Sequence, residues 1–411
     1  MNYKKITQCR AGGLDDLIPV LSLGDQALTG VFPATTDEPV TTGPLELTLS
    51  PSSGLLQLSH TYDSEEMYGD NYGYRSGLNN SMLQHLSDKI KKIEKICNLK
   101  KNDVVVDIGS NDCSTLKFYS SEGIERVGID PTGKKFKKYY PKEIKLIADF
   151  FSAKLYWDEY KTPAKVVTSI SMFYDLDDPV FFAKEVESIL SEDGVWHLEQ
   201  SYMPSMLRMN SYDTICHEHL EYYSLQALQN ILSKANLKII DVNMNSINGG
   251  SFAVTAVKEN NNNYQVNSGL IGWLLRQEDN MQLTSPEPYK RFRRRVFKHR
   301  EELRNLIEIL NNDGKKVLGY GASTKGNVML QFCGLNKEMI PAIAEVNEEK
   351  FGKITPGSHI PIISEQEAKS MNPDYFLVMP WHFKESILRR EREFIESGGK
   401  FIFPFPEIEI I

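Results

Sequence analysis

Cysteine is scarce in this chain of 411 residues: Cys9, Cys97, Cys113, Cys216 and Cys333 are scattered and odd in number. Such a set excludes a disulfide framework and fits reduced thiols. Any run of about 18 apolar residues is also missing, so no helical membrane span is expected. The opening MNYKKITQCRAGG lacks the apolar stretch that a signal peptide needs. There is no long basic tail and the formal net charge is −8, which argues against a nucleic-acid surface. These absences lead to the expectation of a cytoplasmic protein whose partners are small molecules. A monomer is expected, since a chain of several domains can enclose a site between them without help.

What is present is an ordinary globular balance, 41% apolar and 25% charged, in a chain too long for one core. Residues 1–85 are rich in Gly, Pro, Ser and Thr, with short apolar pieces at 18–23 and 54–58, and read as a small loop-rich domain. Residues 86–258 alternate strand and helix signals after an amphipathic helix at 81–100, a parallel-sheet pattern. Residues 259–312 open on ENNNNYQ and continue as a helical linker whose RFRRRVFKHREEL reads as a solvated face paired with nearby acids. Residues 313–411 read as a second α/β domain, with strands at 375–379 and 401–403.

The segment 104–112 (VVVDIGSND), followed by VGIDP at 127–131, is a β-branched strand, a glycine turn, and a second strand ending in Asp130. In a dinucleotide fingerprint, the second glycine lets backbone approach a pyrophosphate. Asn111 stands there instead, and its side chain would crowd a phosphate. S-adenosylmethionine (SAM) carries no phosphate and can use a polar side chain near its amino-acid end, so the turn favours SAM over a dinucleotide. Asp107, Gly109 and Asn111 are the turn's candidate contacts. Asp130 would accept from ribose hydroxyls, which either cofactor could supply. The segment IKLIADFF at 144–151 places Asp149 for the adenine amine and Phe150 for stacking on its ring.

After GVWHLEQ (194–200) comes YDTICHEHLEYYS (212–224), where the sheet should present ligands. His217 and His219 could ligate a metal, but no third ligand follows at a recognisable spacing. They could also be structural, bonded to backbone. The favoured reading is acid–base chemistry, with a neutral imidazole taking a proton and Glu218 orienting or polarising. A methyltransferase with such a base suits an unreactive acceptor such as carbon next to a carbonyl; oxygen methylation would use the same base. The turn in GKKVLGYGASTKGNVML (314–330) is not a P-loop, though its amides and Lys325 could hold a phosphate. A solvated Lys325 is the alternative.

These pieces together resemble the SAM-dependent sugar-nucleotide C-methyltransferases, which act on nucleotide-linked 4-keto-deoxyhexoses. The resemblance rests on PVLSLGDQALTGVFP, GLLQLSH, YGYRSGLNNSMLQHL, VVVDIGSND, HEHLEYYSL, NGGSFAV, GASTKGNVMLQFCG, PGSHIPI and MPWHF, in that order. It implies an α/β fold: a Rossmann-like SAM domain between a small loop-rich N-terminal domain and a C-terminal α/β domain. It further implies that His219 is the base with Glu218 beside it, and that Tyr74 contacts the sugar. Lys325, Asn327, Asn347 and Lys350 would lie by the sugar nucleotide, and Ser251, His217 and Cys216 would line the substrate pocket.

Two departures stand out. The family's two C-x-x-C zinc pairs read here as Cys9 with Gly12 and Ser50 with Ser53, so no metal is expected. Cys216 replaces a tyrosine, which puts the sugar, the position methylated or the reaction in doubt. The expected function is base-assisted C-methylation of a nucleotide-linked keto sugar. The alternatives are an O- or N-methyltransferase of the same substrate class, a non-catalytic protein that retains the SAM fold, and enolisation without methyl transfer.

Overall fold

β-Branched runs make the middle of the chain a sheet. Val104–Ile108, Glu125–Ile129, Ile144–Ile147, Ala164–Ile170 and Leu190–Ser201 pair in parallel, and their near-continuous apolar character matches strands covered on both faces. The computed structural model describes residues 3–63, 66–67 and 75–411. In it, the strands follow the order Leu237–Asn245, Ser251–Lys258, Leu190–Ser201, Ala164–Ile170, Val104–Ile108, Glu125–Ile129, Ile144–Ile147. The parallel pattern read to residue 258 is corrected at its end. Leu237–Asn245 and Ser251–Lys258 are antiparallel, because the connection 246–250 is far shorter than the dozen or so residues a crossover needs.

The helix Asn80–Cys97 starts where the Asn79 side chain accepts from the amides of Ser81 and Met82, a cap for otherwise unsatisfied donors. Its Ile90, Ile93 and Cys97, spaced at helical period, pack on Val105, Val166 and Val195 of the sheet. This fixes segment 75–78 over the sheet's carboxyl edge.

The N-terminal unit centres on antiparallel strands Ile18–Ala27, Thr42–Ser50 and Leu55–Leu58, and its fourth strand is Glu221–Tyr222. A piece of the 212–224 segment is thus sewn into the N-terminal sheet. The C-terminal sheet orders Ile362–Ser364, Ile343–Glu345, Val317–Tyr320, Tyr375–Val378, Lys400–Phe403 and Glu409–Ile410, all parallel except the last pair. Helix Thr324–Cys333 lies tight on this domain, since a Cβ on Gly326 would come within 2.4 Å of Met379.

Between these units run helices Ser268–Met281 and Glu287–Asn312. The second buries Phe292, Val296, His299, Leu303, Ile307 and Leu310, and its apolar members belong to the C-terminal core cluster. Its charged face is exposed, with Lys298–Glu302 and Arg304–Glu308 pairs one turn apart. Among the described residues no helix is long and apolar enough to cross a membrane.

Candidate active site

The first half of the site is the crevice at the carboxyl ends of the parallel strands. Gly109 adopts φ +75°, and a Cβ there would meet Met172 at 3.0 Å. Backbone conformation and close packing both call for glycine. Asn111 is also left-handed, at φ 48°, and its amide donates to Asp130 Oδ2 at 2.7 Å. Asp130 Oδ1 accepts from the Thr132 amide at 2.7 Å and its hydroxyl at 2.5 Å. Three of about four carboxylate lone-pair sites are filled, leaving room for a ribose hydroxyl. Asp149 and Phe150 are exposed just past strand Ile144–Ile147, where an adenine could lie.

Two of the turn's side chains also have partners within the fold. Asp107 is 2% exposed and accepts from the Thr168 hydroxyl at 2.5 Å, so it braces the turn from behind. Asn111 Oδ1 accepts from the Ser76 amide at 3.1 Å. Beside it, Asp112 accepts from the Gly77 amide at 3.0 Å and pairs with Arg75 Nε at 3.4 Å. Segment 75–78 is thereby strapped over the turn. Arg75 and Asp112 escaped the sequence reading because their partnership joins two segments; the quoted motif YGYRSG was the available signal. Tyr74 falls outside the described residues.

The second half is the 212–224 segment, which leaves the central domain to supply a strand to the N-terminal sheet and so stands at the junction of three units. His219 Nδ1 donates to the Thr214 carbonyl at 2.9 Å. A carbonyl only accepts, so this bond selects the Nδ1–H tautomer and leaves the Nε2 lone pair as a base. The ring packs edge-on to Tyr174, centroids 4.3 Å apart. Burial, with Lys325 adding to it, holds its imidazolium down at about 3; the ring is neutral at neutral pH. Burial pushes the Glu218 carboxyl up to about 7. A Cβ on Gly30 would lie 2.1 Å from Glu218 Oε1, so this glycine makes the space for the carboxyl.

The C-terminal domain closes the far side. Helix Thr324–Cys333 packs directly on the turn Tyr212–Thr214. Lys325 Nζ donates to the Asn248 carbonyl at 3.3 Å, and Trp381 Nε1 donates to Asp213 Oδ2 at 2.8 Å. Lys350 Nζ donates to the Ala322 carbonyl at 2.7 Å and sits 4.4 Å over the Phe32 ring. Asn347 caps a short turn through the Glu349 amide at 3.1 Å. Glu345, unremarked in the sequence, ends its strand by accepting from the amides of Ala322, Val346 and Asn347. The MIPAIAEVN strand with an acid near its end was the signal for it.

Four residues expected to line the substrate pocket or lie by the sugar nucleotide are engaged within the fold in this structure. Cys216 is 0% exposed within an apolar cluster. His217 is buried edge-on to Tyr62, 4.6 Å between centroids. The Ser251 hydroxyl donates to the Ile247 carbonyl at 2.8 Å. Asn327 Nδ2 donates to the Thr29 carbonyl at 2.8 Å, docking its helix on the N-terminal unit.

Comparison with known proteins matches residues 78–242 to a family described as "Methyltransferase domain" and residues 246–406 to "C-methyltransferase C-terminal domain". The chain is 31% identical to C-methyltransferase NovU of Streptomyces niveus, with 99% of this chain and 97% of that one aligned. The chain belongs to the SAM-dependent C-methyltransferases. SAM is the cofactor of this C-methyltransferase, and the glycine turn, Asp130, Asp149 and Phe150 fit it. Among solved structures, it is similar to magnesium protoporphyrin IX methyltransferase (ChlM) from Synechocystis PCC 6803, at 13% identity and TM-score 0.33 over 47% of this chain and 89% of that one. The CcbJ methyltransferase of Streptomyces caelestis gives 10% identity and TM-score 0.33 over 42% and 89%.

A further match, to "Putative zinc binding domain", covers residues 9–68. The C-methyltransferase's described residues there do not fit zinc. Cys9 Sγ lies 3.2 Å from Ser53 Oγ and accepts from Gln57 Nε2 at 3.1 Å, while Ser50 Oγ donates to Asp16 at 2.6 Å. Structural zinc takes four thiolate, imidazole or carboxylate ligands. Among the described residues no group of three or more His, Cys, Asp or Glu is placed to hold a metal ion.

Proposed function

We propose that the enzyme methylates carbon beside the carbonyl of a nucleotide-linked keto-deoxy sugar. The observation that carries this reading is the His219 tautomer: with Nδ1–H spent on the Thr214 carbonyl, Nε2 is left to take a proton. Bound SAM supplies a methyl group on a sulfonium, an electrophile ready for attack by carbon. His219 Nε2 removes the proton next to the carbonyl, the resulting enolate carbon takes the methyl, and the carbonyl re-forms. An imidazole held at about 3 is a weak base in the free protein. An anion arriving beside it favours its charged form and strengthens it. Glu218, near half-protonation at neutral pH, can donate to or accept from the sugar as needed. Holding base and acceptor in line removes the entropic part of the barrier.

The nucleotide is assigned to the C-terminal domain, where Asn347 and Lys350 flank the glycine turn at the end of strand Val317–Tyr320. That placement follows the general rule that ligands bind beyond the carboxyl ends of strands in open α/β sheets. Tyr74 keeps its assignment as a sugar contact.

The test is mass spectrometry of the protein incubated with SAM and a panel of nucleotide-linked 4-keto-6-deoxyhexoses, wild type beside His219→Ala. The expected result is a gain of one CH2 by at least one sugar, carbon-bound by NMR, with the variant slowed at least about 100-fold. A methyl found on oxygen or nitrogen, or full activity in the variant, would refute the reading.

A further inference from the structure

Lys325 was expected at the sugar nucleotide, and its helix packs against the Tyr212–Thr214 turn that precedes the base. Three segments meet there through a chain of contacts. Thr214 holds His219 through its carbonyl. The preceding residue, Asp213, accepts from Trp381. The indole of Trp381 lies against Gly249, where a Cβ would come within 3.0 Å. The next residue back, Asn248, accepts from Lys325 Nζ. The loop bearing Asn248 is itself anchored: Asn245 Oδ1 accepts from the Ile247 amide at 3.0 Å and Asn245 Nδ2 donates to Glu199 at 2.6 Å.

The lysine's company is unusual. Its one hydrogen bond among the described residues is the 3.3 Å contact to a neutral carbonyl, and no carboxylate lies within the 4.0 Å of an ion pair. An ammonium partly withdrawn from water with no anion at ion-pair distance is costly, and such sites are enriched where a ligand or transition state brings the missing charge. His382 adds a second indication: its Nδ1 is buried without a hydrogen-bond partner, in the same Trp381–Phe383 turn that meets the 247–249 loop. The ammonium acts at the right range. Burial first and Lys325 second hold down both His219 and His382, and Lys325 partly offsets the burial that raises the Asp213 carboxyl.

We propose that Lys325 is a catalytic residue that donates a hydrogen bond to the carbonyl oxygen of the sugar as it becomes an enolate. The inference rests on the keto-sugar reading above. The C–H bond next to the carbonyl breaks, its proton goes to His219 Nε2, and the electron pair forms the C=C bond while the carbonyl pair moves onto oxygen. Lys325 keeps its proton and meets that new charge. The enolate carbon then bonds the methyl, the C–S bond breaks, S-adenosylhomocysteine leaves, and His219 returns its proton to water. Placing the ammonium close to the base has a second consequence. It disfavours the imidazolium before reaction, and the enolate offsets this repulsion as both charges form. Charge stabilisation aimed at the transition state, not the ground state, raises kcat.

The rival role is binding of the diphosphate, which is charged before any chemistry. Lys325→Met separates the two. Removing a partly buried charge that makes no ion pair among the described residues should leave the fold intact, checked as an unchanged or higher melting temperature. Calorimetry with a panel of nucleoside diphosphates alone (adenosine, guanosine, cytidine, uridine, thymidine) should give, for whichever binds, dissociation constants within about twofold for wild type and variant, whereas kcat on the keto sugar should fall by about 100-fold or more with KM little changed. Solvent deuterium exchange next to the carbonyl, measured with S-adenosylhomocysteine in place of SAM, should fall in parallel. The acid limb of the pH profile should move to higher pH, because His219 would lose its cationic neighbour and keep Glu218, Cys216, Tyr174 and Asp213 around it. A tenfold loss of nucleoside diphosphate affinity with kcat retained would make Lys325 a phosphate ligand and overturn the proposal. Full turnover by the variant would overturn it too, whereas no turnover by wild type would remove the keto-sugar reading and the lysine's role with it.

Discussion

Asp107 carries a pH dependence that can be isolated at one residue. Burial raises its carboxyl to about 7, against the lowering effect of the Thr168 and Thr115 hydroxyls. A carboxyl raised in the folded state stabilises most below its unfolded value of 3.8, and that contribution is lost as pH rises through about 7. Asp107→Asn keeps the shape and removes the titration. Urea denaturation of both proteins at pH 5 and pH 8 should show the variant gaining about 2–3 kcal/mol on wild type across that interval, at about 1.4 kcal/mol per pKa unit. A difference independent of pH would contradict this. Asp107 was legible as an acid before a glycine turn, but not as a brace, since Thr168 is a partner 61 residues away.

Among elements, the strands of the N-terminal unit show how a metal framework can be replaced by hydrogen bonds. Cys9, Ser53 and Gln57 form a small polar knot, with the Leu55 amide donating to Ser53 Oγ at 3.1 Å. Leu45, Leu47, Leu49, Leu56 and Leu58 supply the unit's buried apolar side chains. Dialysis against EDTA should therefore leave the melting temperature unchanged, and elemental analysis should find less than stoichiometric zinc. A chelator-induced drop of several degrees would contradict the hydrogen-bonded account. The lost thiols were readable only through the family resemblance, whose two C-x-x-C pairs fall on Cys9, Gly12, Ser50 and Ser53. The fourth strand was not, because Glu221–Tyr222 exists only by pairing with Gln57 and Leu56, and two residues carry too little periodicity to announce a strand.

For the whole molecule, the important contacts join the N-terminal and C-terminal units directly. Gln331 accepts from the Ala27 amide at 2.8 Å and donates to its carbonyl at 3.2 Å, and Asn327 holds the Thr29 carbonyl. Gln331→Ala leaves two backbone groups of an edge strand unpaired, a loss of about 1–3 kcal/mol. Urea denaturation should show that loss, and limited proteolysis should cut the N-terminal unit sooner in the variant. Equal stability and equal cleavage rates would mean that the docking does not depend on this amide.

Local chemistry was enough to place the central parallel strands, the glycine turn after Ile108, Asp130 and the His217–Glu218–His219 run, because β-branching and turn residues act over a few neighbouring residues. The antiparallel turn at 246–250, the strap at 75–78 and the placement of Lys325 depended on segments far apart in sequence packing at one junction. The tautomer of His219 shows the division: a histidine beside an acid is visible in sequence, but which nitrogen remains free to accept a proton is decided by where the folded chain puts the Thr214 carbonyl.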